Sequence, residues 1–376
     1  MEQKLCAPLC AASHWLDYID PSAHRRIKGL RLVTAFGIAA MLGTMGDVTH
    51  GLPDGASLNL LAGNFALWAS VSEGRSTRGK SSRDLAVLSA AAAVGAASFS
   101  ILVPLLSQLG PTGPELVLVI GAFCVGYLRR FGLTGTGIGS QIYIGQLLAF
   151  GVELKPSDLP TIAVAGLIAA IASVVPRVLS GPAEHPPPFA PLSPASPGTM
   201  PPALAMGLQA ATGALLIVAL NATIGLVESS WAITACTYVI AGSSSGTLDR
   251  VRRRIIGTII GVPVALGFLL LVATMPIVVW TAAALAMVIY AIALPERYDI
   301  ACGAYAFTLI VTLAATGEHS ISVLAARAWE TLLGGALGLA AATLLFPLRP
   351  SAQAETPPGD TLCPSPATRS NRPLSG

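Results

Sequence analysis

The stretch that decides the fold is DRVRRRIIGTIIGVPVALGFLLL, Asp249 to Leu271, in which four arginines stand directly against a long apolar run. The whole chain shares this character, because 53% of its residues are hydrophobic, only 11% are charged and its mean hydropathy is +0.69. Soluble domains carry about 25% charged residues. The composition therefore predicts a membrane protein, and the arginine cluster marks the point where a lipid bilayer begins. The net charge of +3 is too small to indicate a nucleic-acid partner.

Apolar segments of membrane-spanning length recur along the chain. A bilayer core about 30 Å thick requires about 20 mostly apolar residues per helix. On this basis we predict an all-α polytopic membrane protein with about twelve transmembrane helices. They are expected near residues 30–48, 55–72, 85–109, 114–128, 136–153, 159–178, 203–226, 229–245, 255–274, 276–294, 300–316 and 320–346.

The distribution of basic residues gives this arrangement an orientation. Short cytoplasmic loops of membrane proteins collect Lys and Arg. If the N-terminus is cytoplasmic, all of the 22 Lys and Arg residues except Lys155 and Arg327 fall in cytoplasmic segments. We therefore expect both termini in the cytoplasm and the chain in a bacterial inner membrane, with no cleaved signal peptide because no apolar core precedes Pro21.

The segment rich in proline, Gly181 to Pro202, divides the predicted spans into two groups of six. We expect a cytoplasmic arm (1–29), a first half (30–180), a linker (181–202), a second half (203–346) and a disordered cytoplasmic tail (347–376). Both halves place a basic loop after their second span and end at a proline. An even number of spans per half predicts pseudo-symmetric halves related by an axis along the membrane normal, with sites at their interface.

Two segments fit the pattern R-x-x-x-T-x-x-G. The first contains Arg254 and Thr258 and the second contains Arg327 and Thr331. On a helix this spacing places a guanidinium, a hydroxyl and a glycine on roughly one face. Glycine at such positions lets a neighbouring helix approach closely, so the first copy is explained by a packing face with an anchoring arginine at least as well as by a binding site.

The second copy places Arg327 and Glu330 inside a predicted span, about 10 to 15 Å deep at 1.5 Å per residue. Charges at this depth cost at least about 2.5 to 3.5 kcal/mol each on insertion scales, so they are expected to pair or to face water. Their spacing of three residues allows them to pair with each other. A structural ion pair and a functional pair lining a substrate path both remain open.

An aromatic stripe lies on the eighth predicted span. Trp231, Thr234 and Tyr238 are spaced at i, i+3 and i+7 and share one helical face. Such a stripe is more often a packing surface than a binding wall. If it does bind a ligand, an aromatic body would suit it, with further rings from Tyr143, Tyr305 and Trp68.

These motifs together resemble the fusaric acid resistance (FUSC) family of bacterial inner-membrane transporters, also called the aromatic acid exporter family. The resemblance rests on Trp231 to Thr234, on Arg254 to Gly261 and on Arg327 to Gly334, and it covers about residues 203–347. It implies export of aromatic carboxylic acids or related organic anions, driven by protons. The first half shows no clear copy of these motifs. Arg327 would then meet the cargo carboxylate, and Glu330 is a candidate proton carrier.

Several alternatives remain. The loop Gly246 to Arg254 is one residue short of the loop motif of the major facilitator superfamily, so a transporter of that type is an alternative. A channel that lets organic anions pass without coupling would use Arg327 in the same way. An intramembrane enzyme is disfavoured because the five histidines are scattered, and a membrane scaffold would consume its buried polar groups in packing. Cys6, Cys10 and His14 could share a helical face, but a closed zinc site needs four ligands, so we expect no metal or cofactor. The expected partners are membrane lipid, the organic-anion cargo and protons. The sequence is also compatible with a homo-oligomer.

Overall fold

The computed structural model describes residues 20, 24–45, 58–74, 77–180, 200–272, 274–294, 296–315, 321–345 and 347, without the side chains at 270, 272, 315, 321–325 and 327. The expectations for Cys6, Cys10 and His14, for nearly all of the linker and for the tail concern residues outside this description. The domain boundaries that we expect from the sequence therefore remain predictions.

Each predicted span overlaps largely with one α-helix. The helices are α1 (His24–Leu42), α2 (Leu58–Ser72), α3 (Arg78–Leu106), α4 (Leu116–Tyr127), α5 (Gly132–Gly151), α6 (Leu159–Leu179), α7 (Pro202–Ile224), α8 (Ser229–Val239), α9 (Ser244–Val272), α10 (Pro276–Ala293), α11 (Tyr298–Ala315) and α12 (Ile321–Ala340). Short 3-10 turns cover 107–109, 113–115, 128–131 and 156–158, and a π-helical turn extends α12 over 341–345. No strand occurs in the residues that the structure describes.

Six stretches in the described part of the chain are long and apolar enough to cross a membrane. They are Arg78–Leu109, Gly113–Gly151, Pro156–Leu179, Pro202–Ile224, Pro276–Ala293 and Ala328–Leu345. The second of them joins α4 and α5. The chain is thus an all-helical, multi-pass membrane protein, while the number of twelve spans stays a prediction.

The packing of the helices follows a recurring pattern. In the first part of the chain, α1 packs on α2, α2 on α6, α3 on α5 and α6, α4 on α5, and α1 on α6. In the second part, α7 packs on α8, α8 on α12, α9 on α11 and α12, α10 on α11, and α7 on α12. The second list is the first one moved on by six helices. Among the contacts that join the two parts, those of α4 with α7 and of α1 with α10 exchange under the same shift, and α4 also packs on α8.

Glycines bring the two copies of the R-x-x-x-T-x-x-G pattern against neighbouring backbones. A Cβ atom added to Gly261 of α9 would lie 2.8 Å from the Cα atom of Gly303 in α11. One added to Gly334 of α12 would lie 2.9 Å from the Cα atom of Ala232 in α8. Real Cβ atoms do not approach this closely, so both contacts require glycine. In both copies the glycine therefore serves helix packing.

Candidate functional site

A cavity of about 1790 Å³ lies between the two parts of the chain. Its walls come from α1 to α5 on one side and from α8 to α11 on the other. Four residues singled out in the sequence line it, namely Trp231, Thr234, Tyr238 and Arg254. The structure thus brings the aromatic stripe of α8 and the first arginine motif to one space.

Four aromatic side chains form a cluster in the wall of this cavity. The ring of Trp68 in α2 lies with its centroid 5.5 Å from that of Tyr305 and 6.2 Å from that of Tyr290. The ring of Trp231 lies 6.4 Å from that of Tyr305. These separations are typical of interacting aromatic pairs. The rings come from both parts of the chain, so the cluster spans the interface.

Hydroxyl groups cross the same interface between α5 and α8. The hydroxyls of Ser140 and Tyr238 are 2.8 Å apart, and those of Tyr143 and Thr234 are also 2.8 Å apart. The Thr234 hydroxyl donates to the carbonyl of Ser230 at 2.7 Å, so Tyr143 acts as its donor. The stripe on α8 therefore packs and lines the cavity at once, while Tyr143 is completely buried behind it.

Several arginines line one end of the cavity, which we call the arginine end: Arg129, Arg250, Arg253 and Arg254. The Nη1 atom of Arg254 lies 3.4 Å from the hydroxyl of Tyr298, and its Nε atom is buried without a hydrogen-bond partner. Arg250 donates to the carbonyl of Ile240 at 3.2 Å. The four arginines of the opening stretch are thus not all headgroup anchors, because three of them line this cavity.

The carboxylates at the arginine end already have cationic partners. Asp249 lies 2.9 Å from Arg253 on the next turn of α9, and Glu296 forms an ion pair with Arg25 of α1. Arg253 also donates to the backbone carbonyl of Glu296 at 2.9 Å. In the described chain, neither carboxylate is thus engaged by Arg254.

Thr258 and Thr331 lie in a smaller cavity of about 40 Å³. Trp231, Arg254 and Tyr305 form a wall that this space shares with the large cavity. Its volume suffices for about one ordered water molecule rather than for cargo. The threonines of the two motif copies therefore line one small space together with Arg254 and Trp231.

Glu330 is completely buried and lines neither cavity. Its Oε1 atom accepts a hydrogen bond of 2.9 Å from the backbone N–H of Glu228, just before α8. Glu228 itself lines the large cavity at the end opposite the arginines. Arg327 belongs to α12, but its side chain lies outside the described residues. The Arg327–Glu330 pair therefore remains a prediction.

Sequence reasoning missed Arg129, Tyr290 and Tyr298 as lining residues. Each stands at or near the end of a helix, where an arginine or tyrosine is ordinarily explained by the membrane interface. Only the packing of α4, α10 and α11 around one cavity distinguishes these side chains. In the described residues, no three His, Cys, Asp or Glu side chains converge to hold a metal ion.

Comparison with known protein families finds a match in the second part of the chain. Residues 211–341, about a third of the chain, match the family described as fusaric acid resistance protein-like. No curated protein and no solved structure matches the chain. The matched segment contains α8, α9 and α11, which supply much of the cavity wall. The resemblance inferred from the sequence is thus confirmed, and residues 211–341 are similar to a family of membrane transporters.

Proposed function

We propose that the protein exports aromatic carboxylic acids or related organic anions across the bacterial inner membrane, in exchange for protons, with both termini in the cytoplasm. The observation that carries this proposal is a single cavity lined by an aromatic cluster and by arginines. The exposed apolar side chains of the helices, such as Leu167 and Leu215, would face lipid. An association of copies of the chain remains a prediction.

The lining of the cavity suits an aromatic anion on physical grounds. An anion that leaves water loses hydration, and guanidinium groups compensate this loss with charge-assisted hydrogen bonds. Arg254 has a buried Nε–H without an acceptor, which a carboxylate could fill. The aromatic body could then pack against Trp231 and Tyr305, which lie beside Arg254 around the smaller cavity.

A recurring helix arrangement supports a transport cycle. The repeated packing pattern is what two pseudo-symmetric six-helix halves would produce. In secondary transporters the halves rock against each other around a site at their interface, and the cavity lies at such an interface. We therefore retain the prediction of two halves, with export by alternating access.

We assign proton coupling to the carboxylate of Glu330, and Arg327 keeps its predicted role of meeting the cargo carboxylate. Glu330 is buried in α12 and bonded to the N–H of Glu228, a residue that lines the cavity. A change in the charge of Glu330 would thus act on the start of α8 and on its aromatic stripe. Replacement of Arg327 by alanine is expected to abolish export while leaving protein in the membrane.

Efflux of benzoate from loaded cells, measured with and without a proton gradient, tests the proposal. The Arg254→Ala variant is expected to lose at least about 90% of export, because a cation at the cavity is lost. Arg130→Ala is the matched control, since Arg130 is exposed, stacks on Tyr127 and does not line the cavity. Equal export by both variants at equal membrane abundance contradicts the role of Arg254. Export that ignores the gradient would instead indicate an uncoupled channel.

A further inference from the structure

Three arginines form a row at the arginine end of the cavity. Arg129 comes from the 3-10 turn after α4, and Arg250 and Arg254 stand one turn apart on α9, about 6 Å along the helix axis. Arg250 lies close enough to Arg129 for their charges to interact. The hydroxyl of Tyr298 lies 3.4 Å from the Nη1 atom of Arg254. The row therefore joins the two parts of the chain.

No carboxylate pairs with any of these three arginines within the described part of the chain. The carboxylates that line this end, Asp249 and Glu296, are bonded to Arg253 and Arg25. The described hydrogen bonds of the row lead to neutral groups: a tyrosine hydroxyl, a backbone carbonyl and, at 4.0 Å from Arg129, the sulfur of Met206. Most of the guanidinium donors therefore remain available to a ligand.

The charge of the row limits what kind of cargo fits. Like charges close together in a poorly hydrated space repel one another, and this repulsion is relieved by bound anions. A cargo with one carboxylate would neutralise the charge of Arg254 but leave the repulsion between Arg129 and Arg250. A cargo with two acidic groups would neutralise Arg254 with one group and the Arg129–Arg250 pair with the other.

The position of the aromatic cluster fixes how such a cargo would lie. Trp231 and Tyr305 adjoin Arg254, whereas Arg129 and Arg250 lie farther along the row. Two carboxylates at the meta or para positions of a benzene ring are separated by roughly one helical turn, about 5.4 Å. One carboxylate could therefore meet Arg254 while the other reaches the pair.

We propose that the preferred cargo is an aromatic acid with two anionic groups, held at one end by Arg254 and at the other by Arg129 and Arg250. This inference rests on the proposed function and narrows its substrate class. Arg129 and Arg250 then determine specificity for the second acidic group, and Arg254 serves every aromatic acid that binds.

The test uses the full-length protein in detergent at neutral pH, with the fluorescence of Trp68 and Trp231, which line the cavity, as the readout. The ligands are benzoate, isophthalate, terephthalate and the monomethyl ester of isophthalate, which has the size of a dicarboxylate but a single charge. We expect at least one dicarboxylate to bind at least tenfold more tightly than benzoate. The monomethyl ester is expected to bind like benzoate.

Variants assign the preference to the named residues. In Arg129→Gln/Arg250→Gln the advantage of the dicarboxylate over benzoate should fall to about onefold. Arg129→Lys/Arg250→Lys keeps both charges and should retain part of the preference, which covers the case that the Gln variant does not fold. The control Arg130→Gln should bind like the parent.

The inference alone is overturned if benzoate binds as tightly as both dicarboxylates, or if the preference survives in the folded Gln variant. If no aromatic acid binds to the parent protein, the proposed function fails together with it. Tight binding of the monomethyl ester also overturns the inference, because it would show that ligand size rather than charge decides.

Discussion

Two of the contacts that join the parts of the chain, α4 with α7 and α1 with α10, are equivalent in helix order but differ in chemistry. The α4–α7 contact is polar at one end, where Glu115, just before α4, accepts a hydrogen bond of 2.6 Å from Asn221 of α7 and another of 2.7 Å from Ser229 at the start of α8. At its other end Gly126 packs directly on Gly207. In the described residues, α1 and α10 share no hydrogen bond.

The α1–α10 contact is apolar between the two helices. Gly29 of α1 approaches Val288 of α10, and Leu32 packs in one buried cluster with Met287. Arg25 pairs with Glu296 in the turn after α10. A shared helix order therefore does not imply the same stabilising contacts. Because no hydrogen bond joins α1 to α10 in the described residues, we expect this contact to open before the α4–α7 contact if the two parts separate.

The largest expected effect comes from disrupting the contact between α4 and α7 at Gly126. An added Cβ would lie 2.6 Å from the Cα atom of Gly207, so Gly126→Leu must push α4 and α7 apart. Overpacking costs about 1 to 3 kcal/mol or more, and we expect a clear fall in the thermal midpoint of the purified protein. Gly267→Leu on α9 is the control, since nothing lies near its added Cβ. Equal midpoints for the two variants would show that the contact is not tight.

A smaller effect is expected at Glu115, which is 5% exposed. Glu115→Ala leaves the Asn221 amide and the Ser229 hydroxyl without this acceptor, at a cost of about 1 to 3 kcal/mol. Glu115→Gln keeps one acceptor and should lose less. Unfolding followed by the circular dichroism of the helices measures the order of the variants. Glu153→Ala, which removes an exposed carboxylate, should leave stability unchanged, and a loss as large as that of Glu115→Ala would contradict the assignment.

The smallest effect is expected for Arg25→Ala at the α1–α10 end. Arg25 and Glu296 are substantially exposed, and ion pairs of this kind contribute about 0 to 1 kcal/mol. Arg25 lowers the pKa of the Glu296 carboxyl mainly through their hydrogen bond. The contribution is therefore full at neutral pH and is lost as the pH falls through that lowered pKa, below the usual value of about 4.3. A difference between parent and variant that persists unchanged once the pH is low enough to protonate Glu296, or that ignores added salt, would show that the contact is not electrostatic.

Much of the fold could be predicted because long apolar segments reveal helices directly. The boundaries were less accurate, since the prediction covered only the apolar part of each helix. α3 begins at Arg78 rather than near residue 85, and α9 begins at Ser244 rather than near 255. The arginines of the opening stretch therefore lie within α9 and not ahead of it. Hydropathy measures the part of a helix in lipid, not the part that extends beyond it.

The site was harder to predict for a different reason. The spacing within α8 placed Trp231, Thr234 and Tyr238 on one face, and all three line the cavity. Arg129 and Tyr290 reach the same space from other helices, and no spacing within one segment reports such a meeting. The hydrogen bond from the backbone N–H of Glu228 to Glu330 could not be predicted either, because every residue except proline carries the same backbone donor.

The close crossing of α9 and α11 has a mechanical consequence. Gly257 and Gly261 bring the backbones of the two helices into direct contact, so a displacement of one helix is expected to displace the other. α9 carries Arg254, and α11 carries Tyr305. The guanidinium and the neighbouring phenol ring would therefore move together in any rearrangement of these helices.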